Sequence, residues 1–179
     1  MAEADKSPPE ITLRKFDLTP SDVDDLMSWA GDDRVTRFGR RDAYTNRDDA
    51  YAYIRDSILP HPWYRAICVG PSRRAVGSVS VKPGPGADRC RASIGYRLAY
   101  DYWGRGIATR AVKMVVKMVF EEWKHLERLE GIVDVENLGS QRVLEKAGFV
   151  KEGVLRKYVL LKGRTRDVIM YSVLSSDLC

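Results

Sequence analysis

Residues 101–109 read Asp-Tyr-Trp-Gly-Arg-Gly-Ile-Ala-Thr and open a long segment whose apolar residues recur at helical spacing. A glycine-rich turn that leads into a helix leaves backbone N–H groups pointing outward, and the helix dipole adds partial positive charge there. Glycine at positions 104 and 106 also lets a ligand approach the backbone without meeting a Cβ atom. The stretch therefore predicts an anion site, suited to phosphate, at the start of a helix.

A second segment, residues 137–149, reads Asn-Leu-Gly-Ser-Gln-Arg-Val-Leu-Glu-Lys-Ala-Gly-Phe. It places the amide of Asn137 and the hydroxyl of Ser140 at positions i and i+3, on one face of a predicted short helix. Gly148 is expected to end that helix in the left-handed capping position. Together the two segments predict a site for a phosphate-bearing cofactor with a polar working end.

The composition excludes several classes of protein. The chain has 179 residues and a net charge of +5, and its basic residues are interspersed with acidic ones, which argues against nucleic-acid binding. Charges interrupt every apolar stretch before it could span a membrane. Three cysteines without metal-ligand spacing fit a reducing cytoplasmic or nuclear compartment and predict no metal site. We expect residues 1–10 to form a flexible leader and residues 11–179 to form one domain.

The order of predicted elements is one strand, two helices, three strands, a helix, a strand, a helix and two strands, which indicates a single mixed α/β domain. The predicted strands are 11–17, 64–69, 75–81, 91–98, 129–135, 149–161 and 168–174. Four helices are predicted. The first begins at Thr19 or Ser21, the second runs from Thr45 or Asn46 to Ile58, and the other two cover 107–123 and 138–147. A polar stretch, 30–43, and a basic loop, 162–166, are expected between elements.

Other phosphate-binding motifs fit the glycine turn less well. A dinucleotide-binding motif needs a third glycine where this chain has Thr109, followed by an acidic residue at the end of a strand. Glu121 and Glu122 stand at the right distance but at the end of a helix, and the P-loop signature is absent. A turn whose glycines only permit close packing is the alternative that these residues leave open.

The sequence resembles the GNAT superfamily of acetyl-CoA-dependent N-acetyltransferases, and within it the RimJ/RimL-like branch. Residues 103–108 match the Q/R-x-x-G-x-G/A signature, with Trp103 in the Q/R position. The Asn137-x-x-Ser140 pair matches the second motif of the branch. Residues 94–98 match its central strand, and residues 162–167 its closing hairpin. The resemblance covers 11–174, and the four motifs occur in the expected order.

The resemblance implies an α/β (α+β) fold, a single GNAT-type acetyltransferase domain over 11–179. Its central mixed, mostly antiparallel sheet would be splayed between two adjacent strands, with helices on both faces. The pantetheine arm of acetyl-CoA would pair with backbone groups in the gap, and the pyrophosphate would meet amides of the glycine turn. The implied cofactor-binding residues are Tyr96, Arg97, Leu98, Gly104, Arg105, Gly106, Ile107, Ala108, Thr109, Asn137 and Ser140.

The resemblance also implies direct attack of an amine on a thioester, with an oxyanion held by an N–H near Leu98. The tyrosine that protonates the thiolate in many relatives is replaced here by Leu144. Ser140 is the candidate acid, with a purely cofactor-binding role as the alternative, and Asn137 is expected to orient the cofactor arm.

A glutamate common in relatives is Ser93 in this chain, so the general base is left open between Glu136, Asp101 and a water chain. Asp167 is expected to be structural, paired with Arg164 or Arg166. The tyrosines Tyr96 and Tyr158 line an acceptor pocket or are simply packed in their strands.

The predicted function is transfer of acetyl from acetyl-CoA to a primary amine, at a protein or peptide N-terminus. A small-molecule amine acetyltransferase and a non-catalytic acetyl-CoA-binding protein are the alternatives. The acceptor groove is predicted between the 30–43 stretch and the 161–167 hairpin, where Lys162, Arg164 and Arg166 would receive acidic peptide residues.

Overall fold

The computed structural model describes residues 9–178. The predicted leader, 1–10, lies outside the described residues apart from its last two positions. Between Pro9 and Leu178, no helix is long and apolar enough to cross a membrane.

Seven strands form one sheet in the order β1-β2-β3-β4-β5-β7-β6. The β4–β5 pair is parallel and the other neighbours are antiparallel, which confirms the predicted mixed, mostly antiparallel sheet. The strands are Ile11–Arg14 (β1), Tyr64–Val69 (β2), Ala75–Pro83 (β3), Arg91–Leu98 (β4), Arg128–Asp134 (β5), Val150–Leu161 (β6) and Arg164–Leu174 (β7).

The parallel strands β4 and β5 pair over only part of their length. Their register joins Arg91 to Arg128, Ala92 to Leu129 and Ser93 to Glu130, and it stops there. Both strands nevertheless continue, so their facing edges separate into a gap. This confirms the splay that the resemblance implied, and it leaves a row of backbone groups without a strand partner.

Five α-helices cover the sheet: Pro20–Ala30 (α1), Asp33–Thr36 (α2), Arg47–Tyr53 (α3), Ile107–Glu122 (α4) and Leu138–Lys146 (α5). Side chains cap four of them at the N-terminus, because Thr19, Asp32, Asn46 and Asn137 each accept a hydrogen bond from a first-turn amide. Where a single helix was expected to reach Ile58, α3 gives way to a π-helical turn at Ile54–Ile58.

The core has two parts, one on each face of the sheet. In β2 the side chain of Ile67 packs into the cluster beneath α4 and α5, whereas its neighbours Ala66 and Cys68 pack into the cluster beneath α1 and α3. Successive strand side chains point to opposite faces, so this alternation identifies a sheet buried on both sides. The prediction of helices on both faces is confirmed.

The prediction of a basic loop at 162–166 is wrong. The turn between β6 and β7 contains only Lys162 and Gly163, with φ of +47° and +76°. Two successive positive φ values are typical of the tight turn that continues the right-handed twist of a hairpin. The next three residues belong to β7, where Arg164 pairs with Leu161. The 30–43 stretch also differs from expectation, because α2 forms within it.

Candidate active site

Hydrogen bonds at the two ends of β4 fix which of its backbone groups face the gap. The amide of Ala99 donates to Val76 on the β3 side at 2.8 Å, and the carbonyl of Arg91 accepts on that same side. Odd-numbered residues of β4 therefore turn their backbone towards β3, and even-numbered residues turn theirs towards the gap. Tyr96 and Leu98 lie on the gap edge in this way.

Arg97 does not offer its backbone to the gap, contrary to expectation. Its carbonyl lies against β3, so closely that a Cβ atom added to Gly77 would come within 2.4 Å of it. The side chain of Arg97 instead points to the face beneath α1 and α3, where Nη2 reaches to 3.5 Å from the Cβ position of Gly39. Of the three residues predicted to pair with the cofactor arm, Tyr96 and Leu98 therefore turn their backbone groups towards the gap, and Arg97 does not.

The glycine turn lies where β4 leads into α4. Gly104 and Gly106 have φ of +72° and +71°, the left-handed region that favours glycine. A Cβ atom at either position would meet no atom of the described residues within 4 Å, so the backbone surface is open. Gly106 caps α4 without a side-chain hydrogen bond.

The first turn of α4 keeps its amides available for an anion. The first helical bond runs from the amide of Arg110 to the carbonyl of Gly106 at 3.1 Å, which leaves the N–H groups of Ile107, Ala108 and Thr109 outside the helical ladder. No acidic residue occupies this turn. Open glycine backbone, three unpaired amides and the helix dipole fit a pyrophosphate.

Trp103 fastens the connection between β4 and the glycine turn. Its indole Nε1 donates to the carbonyl of Leu98 at 2.7 Å, and its ring packs 5.0 Å from that of Tyr100. The residue in the Q/R position of the signature is therefore a brace within the loop. It fixes the glycine turn relative to the gap edge of β4.

Ser140 on α5 contacts β4 through a tyrosine. The hydroxyl of Tyr96 lies 2.6 Å from Ser140 Oγ and 3.1 Å from the Ser140 carbonyl oxygen. Burial raises the pKa of Tyr96, so the phenol stays protonated at neutral pH. Asn137 caps α5, with Oδ1 accepting from the Ser140 amide at 3.1 Å. The structure thus brings Asn137, Ser140 and Tyr96 together.

The contact between Tyr96 and Ser140 was not predicted from the sequence, although the alternation of side chains along β4 indicates it. Tyr96 shares its strand face with Ile94 and Leu98, whose side chains pack into the core beneath α4 and α5. A tyrosine on that face is directed towards α5. Tyr158, the other tyrosine considered for an acceptor pocket, is 54% exposed on the edge strand β6.

Leu144 faces the core. Its side chain is fully buried, and its Cδ1 atom lies 2.6 Å from the position that a Cβ atom on Gly131 would take. The absence of a side chain at Gly131 in β5 makes room for it. A side chain at position 144 therefore points into the sheet.

The acidic groups at the end of β5 are held by one arginine. Arg166 donates to Asp134 through Nε at 2.8 Å and contacts Glu136 through Nη2 at 2.7 Å. The hydrogen bond from Arg166 lowers the pKa of Asp134, whose side chain is 2% exposed. Asp167 pairs with neither Arg164 nor Arg166, because its Oδ1 accepts the backbone amide of Lys157 at 2.7 Å.

Loop 37–44 contacts the turn of the β6–β7 hairpin. Lys162 Nζ lies 3.2 Å from Asp42 Oδ1 and joins the two segments. The predicted groove therefore has its two walls in contact. Two of the three cations assigned to receive acidic peptide residues already have carboxylate partners, since Lys162 pairs with Asp42 and Arg166 with Asp134.

Comparison with known proteins identifies close parallels to this architecture. The family model of the acetyltransferase (GNAT) domain matches residues 10–150. An uncharacterized N-acetyltransferase p20 from Bacillus licheniformis is 33% identical over 171 residues, which cover 93% of this chain and 94% of that protein.

Two solved structures share the fold and contain different ligands. Mycobacterium smegmatis RimJ in complex with CoA-disulfide superposes with a TM-score of 0.75 at 24% identity, covering 94% of this chain and 83% of that one. Spermidine N-acetyltransferase from Vibrio cholerae, in complex with CoA and spermine, gives 0.73 at 21% identity, covering 93% and 96%. At these identities the likeness concerns the fold alone.

Proposed function

The chain belongs to the GNAT acetyltransferase family and is an N-acetyltransferase, and we propose that it acetylates the α-amino group at the N-terminus of a peptide or protein, with acetyl-CoA as donor. The observation that carries this proposal is the continuous path formed by the gap between β4 and β5, the glycine turn and Ser140. Each part of that path suits one part of the donor.

The backbone groups of Tyr96 and Leu98 would pair with the extended arm of the donor, because they lie on the unpaired edge of β4. The amides of residues 107–109 would bind its pyrophosphate. Acetyl-CoA supplies an acetyl group activated as a thioester. This assignment uses the predicted amides of Ile107, Ala108 and Thr109, and of the predicted Tyr96, Arg97 and Leu98 it leaves out the backbone of Arg97.

Ser140 would donate the proton that the departing thiolate needs. When Tyr96 donates its hydrogen to Ser140 Oγ, the hydroxyl hydrogen of Ser140 is free to point away from Tyr96. The buried phenol remains a donor at neutral pH because its pKa is raised. Tyr96 is then a positioning residue, and Ser140 is the catalytic acid. Asn137 supports both through the N-terminal cap of α5.

The acceptor amine must be neutral when it attacks, and the site supports amines that lose their proton easily. Arg166 lowers the pKa of Asp134 and also contacts Glu136, so both carboxylates already have a cation partner. The α-amino group has a reference pKa near 8, whereas the lysine amine has one near 10.4. Deprotonating lysine therefore costs roughly 3 kcal/mol more, at about 1.36 kcal/mol per pKa unit.

A matched pair of peptides tests the proposal. One has a free N-terminus and no lysine, and the other is blocked at the N-terminus and carries one lysine. Release of free thiol from acetyl-CoA should be faster with the first peptide. Faster release with the blocked lysine peptide would overturn the α-amine assignment, and reaction only with small amines would favour the small-molecule alternative.

A further inference from the structure

One cleft of the protein carries two arginines that have no acidic partner among residues 9–178. We define the acceptor cleft as the space of about 540 Å³ between loop 40–44 and residues 49–57. Its three aspartates already have partners: Asp42 pairs with Lys162, Asp56 with Arg55, and Asp49 accepts from the side chain of Asn46 at 2.8 Å.

The arginines of the acceptor cleft, unlike its aspartates, have no side-chain partner of opposite charge within the part of the chain that the structure describes. Across residues 9–178, Arg40 and Arg41 make no ion pair with a carboxylate. The guanidinium of Arg41 lies instead 4.7 Å over the ring of Tyr53. Among the described residues, Arg40 and Arg41 are therefore the cations of the cleft that keep their charge free for a ligand.

Arg97 extends this positive charge towards the reacting centre. Its guanidinium approaches Gly39 in the same loop, and in the described part of the chain it also has no carboxylate partner. The residue after it in β4, Leu98, borders the gap. Arg97 therefore connects the loop at Gly39 to the strand that borders the gap.

Tyr44 adds a polar group without a partner. Its hydroxyl is buried, and no atom among residues 9–178 forms a hydrogen bond with it. The ring lies 5.8 Å from that of Tyr53, and the positive charges of Arg41 and Arg97 act on the phenol. Buried hydroxyls without partners are rare in native proteins, because nothing repays the loss of water. An acceptor group from a ligand would satisfy it.

We propose that the acceptor cleft is a carboxylate subsite, in which Arg41 and Arg97 bind an acidic group close to the acceptor amine and Tyr44 donates a hydrogen bond to it. Guanidinium groups suit this role because their planar donors match a carboxylate. The subsite rests on the proposed function and defines its substrate class: amines with a carboxylate nearby, such as acidic peptide N-termini. Polyamines are disfavoured because like charges repel.

Four acceptors with the same assay test the subsite: peptides beginning Ala-Asp-Asp, Ala-Asn-Asn and Ala-Arg-Arg, otherwise identical and without lysine, and spermidine. The kcat/KM measured by thiol release should be at least about tenfold higher for the aspartate peptide than for the asparagine peptide, the order expected for a hydrogen bond to a charged group. The arginine peptide and spermidine should react more slowly than either. Free aspartate, as a further arm, distinguishes a small acidic amine from a peptide.

Variants locate the preference within the chain. Arg97→Gln and Arg41→Gln should each reduce the ratio between the aspartate and asparagine peptides, and Arg97→Lys should retain part of it. Lys117→Gln removes the same charge from the exposed side of α4 and should leave the ratio unchanged. Raising the salt concentration with the unaltered protein should also reduce the ratio, which avoids any dependence on variant folding.

The outcomes separate the subsite from the proposed function. Equal rates for the aspartate and asparagine peptides, or a preference for the arginine peptide or spermidine, would overturn the carboxylate subsite while acetyl transfer stands. A ratio that falls as much in Lys117→Gln as in Arg97→Gln would also overturn it. Acetylation of lysine side chains ahead of every N-terminus would instead refute the proposed function.

Discussion

Removing the Tyr96 hydroxyl should slow turnover only when Ser140 is present. Tyr96→Phe deletes the hydroxyl that lies 2.6 Å from Ser140 Oγ and leaves the ring in place. A hydrogen bond of this kind contributes about 1 kcal/mol, and a difference of about 1.4 kcal/mol is tenfold. We therefore expect kcat to fall about 5- to 10-fold in Tyr96→Phe, against about 10²-fold in Ser140→Ala, which removes the acid itself.

The assay is steady-state thiol release with a free N-terminal peptide, with kcat and the KM for acetyl-CoA measured separately. The two single variants and the double variant form a cycle. If Tyr96 acts through Ser140, adding Tyr96→Phe to Ser140→Ala should have almost no further effect on kcat. The KM for acetyl-CoA should change little in any of the three, because backbone groups bind the cofactor arm.

Two results would refute this reasoning. Equal loss of kcat from Tyr96→Phe in both backgrounds would mean that Tyr96 acts independently of Ser140. A rise in KM with unchanged kcat in Ser140→Ala would make Ser140 a binding residue. Urea unfolding of each variant checks stability, since Tyr96 is partly buried and a loss of stability must not be mistaken for a loss of function.

Three further changes test the surrounding structure. Gly106→Val should abolish the rise in melting temperature that acetyl-CoA produces, whereas Gly70→Val, which has a similar positive φ, should keep it; equal shifts would contradict the placement of the phosphate site. Leu144→Tyr should destabilise the protein by about 1–3 kcal/mol in urea unfolding, because the ring would overpack against β5, and a gain in activity would show that position 144 reaches the site. Asp134→Asn should lower the free energy of unfolding at pH 7 by about 1–3 kcal/mol. Because Arg166 lowers the pKa of Asp134 in the folded state, that difference should shrink as the pH falls below about 4, and a difference that grew in acid would contradict it.

The sequence was sufficient for features that depend on local pattern. Apolar alternation identified the strands, Thr19 and Asn46 marked helix starts, and the glycine turn was predicted at the residues where the positive φ values occur. These features are set by neighbours in the chain. The two-residue turn at Lys162 was missed because a lysine with positive φ is unusual, and the run of basic residues after it resembled a loop.

Pairings between distant elements were not readable from the sequence. Asp134 and Arg166 form an ion pair because β5 and β7 are neighbours in the sheet. Nothing in the local pattern of either segment indicates that Arg166 pairs with Asp134 and not with Asp167. Tyr96 meets Ser140 for the same kind of reason, since α5 follows β5 and lies over the splayed end of β4. The register of the sheet decides both.

The splay of β4 from β5 also explains why one strand serves two substrates. Beyond Ser93 the strand has a free backbone edge, and its side chains still alternate between the two faces. Tyr96 therefore points to Ser140 on α5, the proposed proton donor, while the next residue, Arg97, points to the opposite face and towards Gly39. A one-residue shift in register would exchange these two positions. Under the two proposals, the geometry that opens the gap would also set an acid on one side of the strand and a cation for the acceptor on the other.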